Sequence, residues 1–243
     1  MTTGLDAVLW RSAQRLAREV DALSFEAPVT HVYNPLRYAA RAHREYLRRY
    51  GAAPKRQLYL GMNPGPWGMA QTGIPFGEVS VVRDWLGISA AIGKPAREHL
   101  KRPVEGFACA RSEVSGARLW GAFAGRYGEP QRFFRERFVA NYCPLVFMEA
   151  SGRNRTPNDL RVAERNALYP ACDRHLRALC AALSPEWVVG VGTFAAERAE
   201  EALAGTGIRI AAILHPSPAN PEANKGCWAE LAEAQLATYG LTL

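Results

Sequence analysis

Three short segments set polar side chains among prolines and glycines: Gly61-Met62-Asn63-Pro64-Gly65-Pro66-Trp67-Gly68-Met69, Asn141-Tyr142-Cys143-Pro144-Leu145 and His215-Pro216-Ser217-Pro218. Proline fixes φ and glycine lets a backbone approach another group closely, so these read as rigid loops suited to meeting a ligand. Their side chains are amides and an imidazole. An amide donates and accepts, which suits reading a planar polar edge or placing a water, but it is no strong base. An imidazole can aim a hydrogen bond at developing negative charge. Taken singly each has a bland reading, Asn63 or Asn141 as a turn residue and His215 as a core histidine. Their joint placement is what points to a site.

That placement depends on the elements before each loop. Gln57–Met62, Phe138–Tyr142, Trp187–Val191 and Ile208–Leu214 are mostly apolar runs of strand length, as expected of strands buried on both faces. Helical patterns cover Leu5–Leu23, Pro35–Tyr50, Asn158–Leu183 and Thr193–Leu203. Alternating strands and helices predict an α/β fold, a three-layer α/β/α sandwich with a parallel sheet. Ligands of such sheets bind beyond the carboxyl ends of the strands, where all three loops fall. Gly190-Val-Gly192-Thr-Phe-Ala195 matches GxGxxA between a strand and a helix, the setting of a dinucleotide-binding turn. The next strand ends Ile213-Leu214-His215 with no acid to hold a ribose, so these glycines are read as close helix–strand packing. No cofactor is expected.

The 243 residues contain no linker-like run, which predicts one domain over 1–243. No stretch is apolar enough for a membrane span and no export signal is visible, so the expected location is the cytoplasm of a bacterial cell, at the nucleoid. Five scattered cysteines without a CxxC pair read as buried free thiols, and no metal site is expected. The net charge is +7, yet residues 178–243 hold three Lys/Arg against seven Asp/Glu, so the positive excess lies wholly before them. A basic body suits a polyanionic partner.

The runs GMNPGPWGMAQTGIPFGEV at 61–79 and HPSPANPEANKG at 215–226 resemble the single-strand-selective monofunctional uracil-DNA glycosylases, one family of the uracil-DNA glycosylase superfamily. The likeness extends to 32–39, 141–145 and 151–160, and so runs over most of the chain. It implies the superfamily's sandwich around a four-stranded parallel sheet. It also implies a partner, uracil-containing DNA in single or double strands, bound by a monomer.

An enzyme acting on a base must take the nucleotide out of the stack and read it in a pocket. By the resemblance, Phe76 stacks on the pyrimidine and Asn141 reads its edge, donating to O4 and accepting from N3–H. Because an amide could rotate to accept cytosine instead, a further bond must fix its orientation, and the sequence does not show that bond. His215 matches the histidine that stabilises the departing base through O2, and Asn63 the residue that holds the attacking water. Met62, Gly65 and Met69 complete the expected pocket; Ser217, Pro218, Ala219, Asn220 and Lys225 are expected to face DNA. Gly65 stands where uracil-only relatives carry a bulky tyrosine, which implies tolerance of 5-hydroxymethyluracil; a turn glycine with positive φ is the other reading. Lyase chemistry needs an amine nucleophile, and of four lysines only Lys225 falls inside a motif. At Ala219 the sequence departs from the family, which usually places there an arginine that fills the gap left by the flipped nucleotide. Cys227 looks like an inserted residue. A relative retuned to deaminated purines and a non-catalytic nucleic-acid-binding module remain the alternatives.

Overall fold

A computed structural model of the protein describes residues 4–52 and 54–243; residues 1–3 and 53 of the expected 1–243 domain lie outside the description. In chain order the elements are α1 (Leu5–Asp21), β1 (Val29–Tyr33), α2 (Pro35–Tyr38), α3 (Ala40–Tyr50), β2 (Gln57–Gly61) and α4 (Met69–Thr72). There follow α5 (Val114–Tyr127), α6 (Pro130–Phe134), β3 (Arg137–Asn141), β4 (Val146–Glu149) and β5 (Asn154–Arg155). The chain ends with α7 (Val162–Leu183), β6 (Trp187–Val191), α8 (Thr193–Ala202), β7 (Arg209–Ile213) and α9 (Trp228–Ala237).

The four apolar runs form one parallel sheet in the order β3-β2-β6-β7. Every residue of β2 and of β6 is buried, as expected of mostly apolar strands covered on both faces, but the edge strand β7 departs from that expectation, with Arg209 exposed and Ile210 and Ala212 half-buried. Helices α1, α3, α7 and α8 pack together on one face, and α5, α6 and α9 on the other. From β2 the chain crosses to β3 on one side, and from β6 to β7 on the other. The crevice above the carboxyl ends of β2 and β6 is therefore the topological switch point. Gly190 lies against α8: a Cβ there would stand 2.4 Å from the Ala196 nitrogen, so close helix–strand packing accounts for it.

Several sequence expectations change. A second, antiparallel sheet, β1-β4-β5, was not foreseen. The helix expected over Pro35–Tyr50 breaks at Ala39, where φ −105° and ψ 22° leave the helical range. The helix expected from Asn158 begins at Val162, after a 3-10 turn whose Thr156 and Asp159 cap each other. Cys109, Cys143, Cys172 and Cys180 are buried, but Cys227, at the N-cap of α9, is exposed. Among the described residues no helix is long and apolar enough to cross a membrane.

Residues 86–113 carry little regular structure and are tied to the Asn63 loop by one buried side chain. Gln71 donates to the carbonyls of Pro66 and Pro103, both at 2.9 Å, and accepts from the amides of Glu105 (2.8 Å) and Gly106 (3.1 Å). Every hydrogen bond the amide can make is made, so the two segments are held as a unit.

Candidate active site

At the carboxyl edge of the parallel sheet lies a cavity of about 340 Å³. The segment after β2 supplies Met62, Asn63, Gly65, Met69 and Phe76, β3 ends in Asn141, and the segment after β7 supplies His215 and Ser217. All seven residues expected to act on or hold the base thus face one space. Glu113 and Ser115 from the start of α5, with Asn154 and Thr156 from the β5 region, complete the lining. Of these four, the sequence reading reached only the segment that contains Asn154 and Thr156.

Phe76 and Asn141 meet at one end. Phe76 is 8% exposed and has φ +54°, a conformation that side-chain-bearing residues rarely adopt. It is held there by flanking bonds: the Trp120 indole donates to the Pro75 carbonyl at 3.1 Å and the Glu78 amide to the Phe76 carbonyl at 2.7 Å. A Cβ on Gly61 would lie 2.5 Å from both the Phe76 ring and Asn141 Oδ1. Only a glycine at the end of β2 lets ring and amide share that floor. Asn141 Nδ2 donates to Met69 Sδ at 3.4 Å. A thioether accepts and cannot donate, so this is an orienting bond of the kind the sequence could not supply.

Gly65 is not left-handed, and a Cβ built on it meets nothing within 4 Å. The turn-glycine reading is therefore unnecessary, and the glycine's effect is open space in the cavity.

Asn63 and His215 are each fixed by a backbone partner that dictates which atom is left for a ligand. Asn63 Nδ2 donates to the carbonyls of Leu145 (3.0 Å) and Pro64 (3.3 Å), which leaves Oδ1 as the acceptor. The Leu145 bond, with the Cys143 amide donating to the Met62 carbonyl at 2.9 Å, also joins the first two loops. The Ser217 amide donates to His215 Nδ1 at 3.1 Å, so a neutral ring carries its proton on Nε2. Burial pulls the His215 pKa down to about 4, which keeps the ring neutral near pH 7. Its ring centroid is 6.0 Å from that of Phe76. Gly192 has φ +95°, and a Cβ on it would approach the His215 Cβ to 3.2 Å, so the GxGxxA turn makes room for this histidine.

The loop expected to face DNA is braced mainly by its own groups. Ser217 Oγ accepts from the Ala219 amide (3.1 Å), Asn220 Oδ1 from the Glu222 amide (3.2 Å), and Lys225 pairs with Glu222 at 2.6 Å. Pro218 and Ala219 are exposed. The strongest outside anchor is Arg118 of α5, which donates to the Pro216 carbonyl (3.1 Å) and to Asn224 Oδ1 (3.0 Å). Sequence reasoning missed it, because nothing local marks it among many arginines. It missed Glu113 too, an N-cap that accepts from the Ser115 and Gly116 amides and whose pKa burial raises.

Lys55, two residues before β2, is buried at the opposite edge of the sheet, where it donates to the Phe134 carbonyl. Lys94, Lys101 and Lys225 do not line the cavity. Among the described residues no cluster of His, Cys, Asp or Glu is placed to hold a metal ion.

The family model of the uracil DNA glycosylase superfamily matches residues 48–233. A Rattus norvegicus protein named single-strand selective monofunctional uracil-DNA glycosylase is 52% identical over 229 residues, 93% of this chain and 82% of the relative. A Mus musculus protein of the same name is 51% identical over the same shares. The crystal structure of wild-type SMUG2 from Pedobacter heparinus superposes with a TM-score of 0.66 over 94% of this chain and 97% of that one, at 18% identity, a likeness of fold. The chain belongs to the uracil-DNA glycosylase superfamily and, within it, to the family of the single-strand-selective monofunctional enzymes.

Proposed function

We propose that the protein is a DNA-repair hydrolase that removes uracil, and uracils substituted at C5 such as 5-hydroxymethyluracil, from DNA by breaking the N-glycosidic bond. The observation that carries this reading is the convergence of Phe76, Asn141, Asn63 and His215 on one cavity, each of the three polar groups oriented by a partner of fixed polarity.

In this reading the extruded base stacks on Phe76, an interaction worth roughly 1–3 kcal/mol. Asn141 Oδ1 accepts from N3–H, and the Nδ2 hydrogen not given to Met69 reaches O4. As the bond to the sugar lengthens, positive charge grows on the sugar and negative charge on the base. His215 Nε2–H donates to O2 and stabilises that anion without transferring its proton, as expected of a ring kept neutral. Asn63 Oδ1 accepts from a water and aims it at the sugar. Since an amide is a poor base, much of the rate comes from leaving-group stabilisation and from placing the water. With no lysine in the cavity, the product is an intact abasic strand.

The test is a panel of uracil, 5-hydroxymethyluracil, xanthine and hypoxanthine in single and double strands, with alkaline and neutral work-up and borohydride trapping. Release of uracil and hydroxymethyluracil, with strand cleavage only after alkali, is expected. Preference for the purines, or a trapped covalent adduct, would overturn the reading.

A further inference from the structure

The segment His99–Arg102 forms a tight turn, closed by the Arg102 amide donating to the His99 carbonyl at 2.9 Å. It is pinned on every side. Tyr33 Oη accepts from the His99 amide (2.6 Å) and donates to the Arg102 carbonyl (2.8 Å). His99 Nδ1 accepts from the Lys101 amide (3.0 Å), so Nε2 carries the proton and faces the carbonyls of Glu149 (3.1 Å) and Ala150 (3.2 Å). Arg102 Nε donates to the Gly152 carbonyl at 2.9 Å. At the tip of this fixed turn Leu100 is 97% exposed.

A lone exposed leucine on a loose loop needs no explanation. Here, however, the turn is rigid and its supports border the cavity. The β4–β5 hairpin that holds His99 and Arg102 continues into Asn154 and Thr156, which line the cavity. The Arg102 guanidinium also sits 5.2 Å over the ring of Trp67, in the Asn63 loop, and Arg111 covers the same ring at 4.5 Å. The surroundings are basic: among the described residues Arg97, Lys101, Arg111 and Arg153 are exposed and form no salt bridge. Glu98, just before the turn, is occupied by Lys94 and by the Val104 amide, which leaves Glu105 as the exposed acid of this segment against those four cations.

An apolar tip on a rigid, positively charged rim matches a strand whose phosphates lie on the rim and whose bases offer an apolar face. We propose that this turn is a second DNA-contacting element, and that Leu100 packs against a base of the strand beside the extruded nucleotide. The contact would hold the distorted strand open where Ala219, with a single methyl group, fills little space. This rests on the glycosylase reading above.

The test uses single-stranded oligonucleotides with a central abasic site and 2-aminopurine one nucleotide to its 5′ or 3′ side. Wild-type protein should change the fluorescence of one of the two oligonucleotides. Leu100→Ala should abolish that change and weaken binding by about tenfold, the scale of losing a partly buried leucine side chain. Leu100→Phe should preserve both. Tyr239, 40% exposed and 5.9 Å from Trp187 at the opposite edge of the sheet, provides the control, since Tyr239→Ala should change neither. Wild-type affinity and fluorescence in Leu100→Ala, or an equal loss in Tyr239→Ala, would refute the contact. Failure of the wild-type protein to release uracil from any oligonucleotide would instead refute the glycosylase reading, whatever the binding signal.

Discussion

The Asn141 amide donates through Nδ2 to the sulfur of Met69, 3.4 Å away, and thereby points its oxygen and its remaining hydrogen in a fixed sense. Rotating the amide would set Oδ1 against the sulfur, two acceptors with no proton between them. The bond thus resists the orientation that would accept cytosine. Met69 is 3% exposed, and leucine nearly conserves its volume, so Met69→Leu removes the acceptor with little repacking. A net hydrogen bond of about 0.5–1.5 kcal/mol translates into a loss of roughly two- to thirteenfold in single-turnover uracil excision. Weaker inhibition by free uracil relative to free cytosine should accompany it. Unchanged excision and unchanged inhibition by both bases would show that Met69 does not orient the amide.

For His215 the prediction concerns pH. A pKa lowered to about 4 by burial keeps the ring neutral, with Nε2–H available, from alkaline pH down to about pH 5. Protonation below that range would load Nδ1, which would have to release the Ser217 amide. On the acid side the excision rate should therefore stay level through pH 6.5 and fall only near pH 4. His215→Leu should lower the rate by about 100- to 1000-fold. An acid limb with its midpoint at 6.5 in the wild-type protein, absent from the variant, would contradict a histidine that works while neutral.

Gly65→Tyr tests the open space beside the cavity. Because nothing lies within 4 Å of a Cβ there, the substitution should fold normally and fill the region assigned to C5 substituents. Removal of 5-hydroxymethyluracil should be lost while part of the uracil activity remains, since overpacking costs typically about 1–3 kcal/mol. Equal losses on the two bases would mean that Gly65 does not select on C5.

The buried histidines also make the fold sensitive to acid. Burial lowers the pKa of His43 to about 4 and that of His175 to about 3. In the unfolded chain both titrate near 6.5, so below that pH the unfolded state binds more protons and is favoured. Their contribution is complete above pH 6.5 and is lost as pH falls towards 4, by about 2–3 kcal/mol at pH 4.5 for His43 alone. The thermal midpoint should therefore drop between pH 7 and pH 4.5, and His43→Gln should flatten that slope. An equally steep slope in the variant would place the acid sensitivity elsewhere.

What could be read from the sequence follows the range of the interactions involved. The strands of the parallel sheet are mostly apolar runs, and in the central strands β2 and β6 burial on both faces wrote that into composition, while the edge strand β7 is only partly buried. Strand β1 (VTHVY) is as long as the strands of the parallel sheet, but Thr30 and His31 interrupt its apolar residues, and β4 is only four residues long, so neither leaves a comparable apolar run. The break at Ala39 has no glycine or proline to announce it. Asn63, Asn141 and His215 were visible because prolines flank them just beyond apolar runs. Gly61, the Met69 sulfur and the Arg118 clamp depend on groups 15 to 106 positions away in the chain, a relation created only by folding.

Ala219 yields the last prediction. A flipped nucleotide leaves a gap in a duplex, and the base returns unless protein fills it. Ala219 is exposed at the tip of a loop held by Arg118 and by its own turn bonds, and it offers the gap a single methyl group. The flipped state of a paired A·U site should therefore be short-lived, whereas a single strand has no partner to restore pairing and less stacking to break. Excision should be faster from single strands, and from weak mismatches, than from a well-paired duplex. Ala219→Arg should raise the duplex rate more than the single-strand rate. Because arginine also adds a phosphate contact, Ala219→Leu serves as the control that fills space without charge. A higher duplex-to-single-strand ratio in both variants establishes the missing volume as the cause, and a rise in the arginine variant alone assigns it to charge. If neither variant moves the ratio, gap filling does not limit this enzyme on duplex DNA.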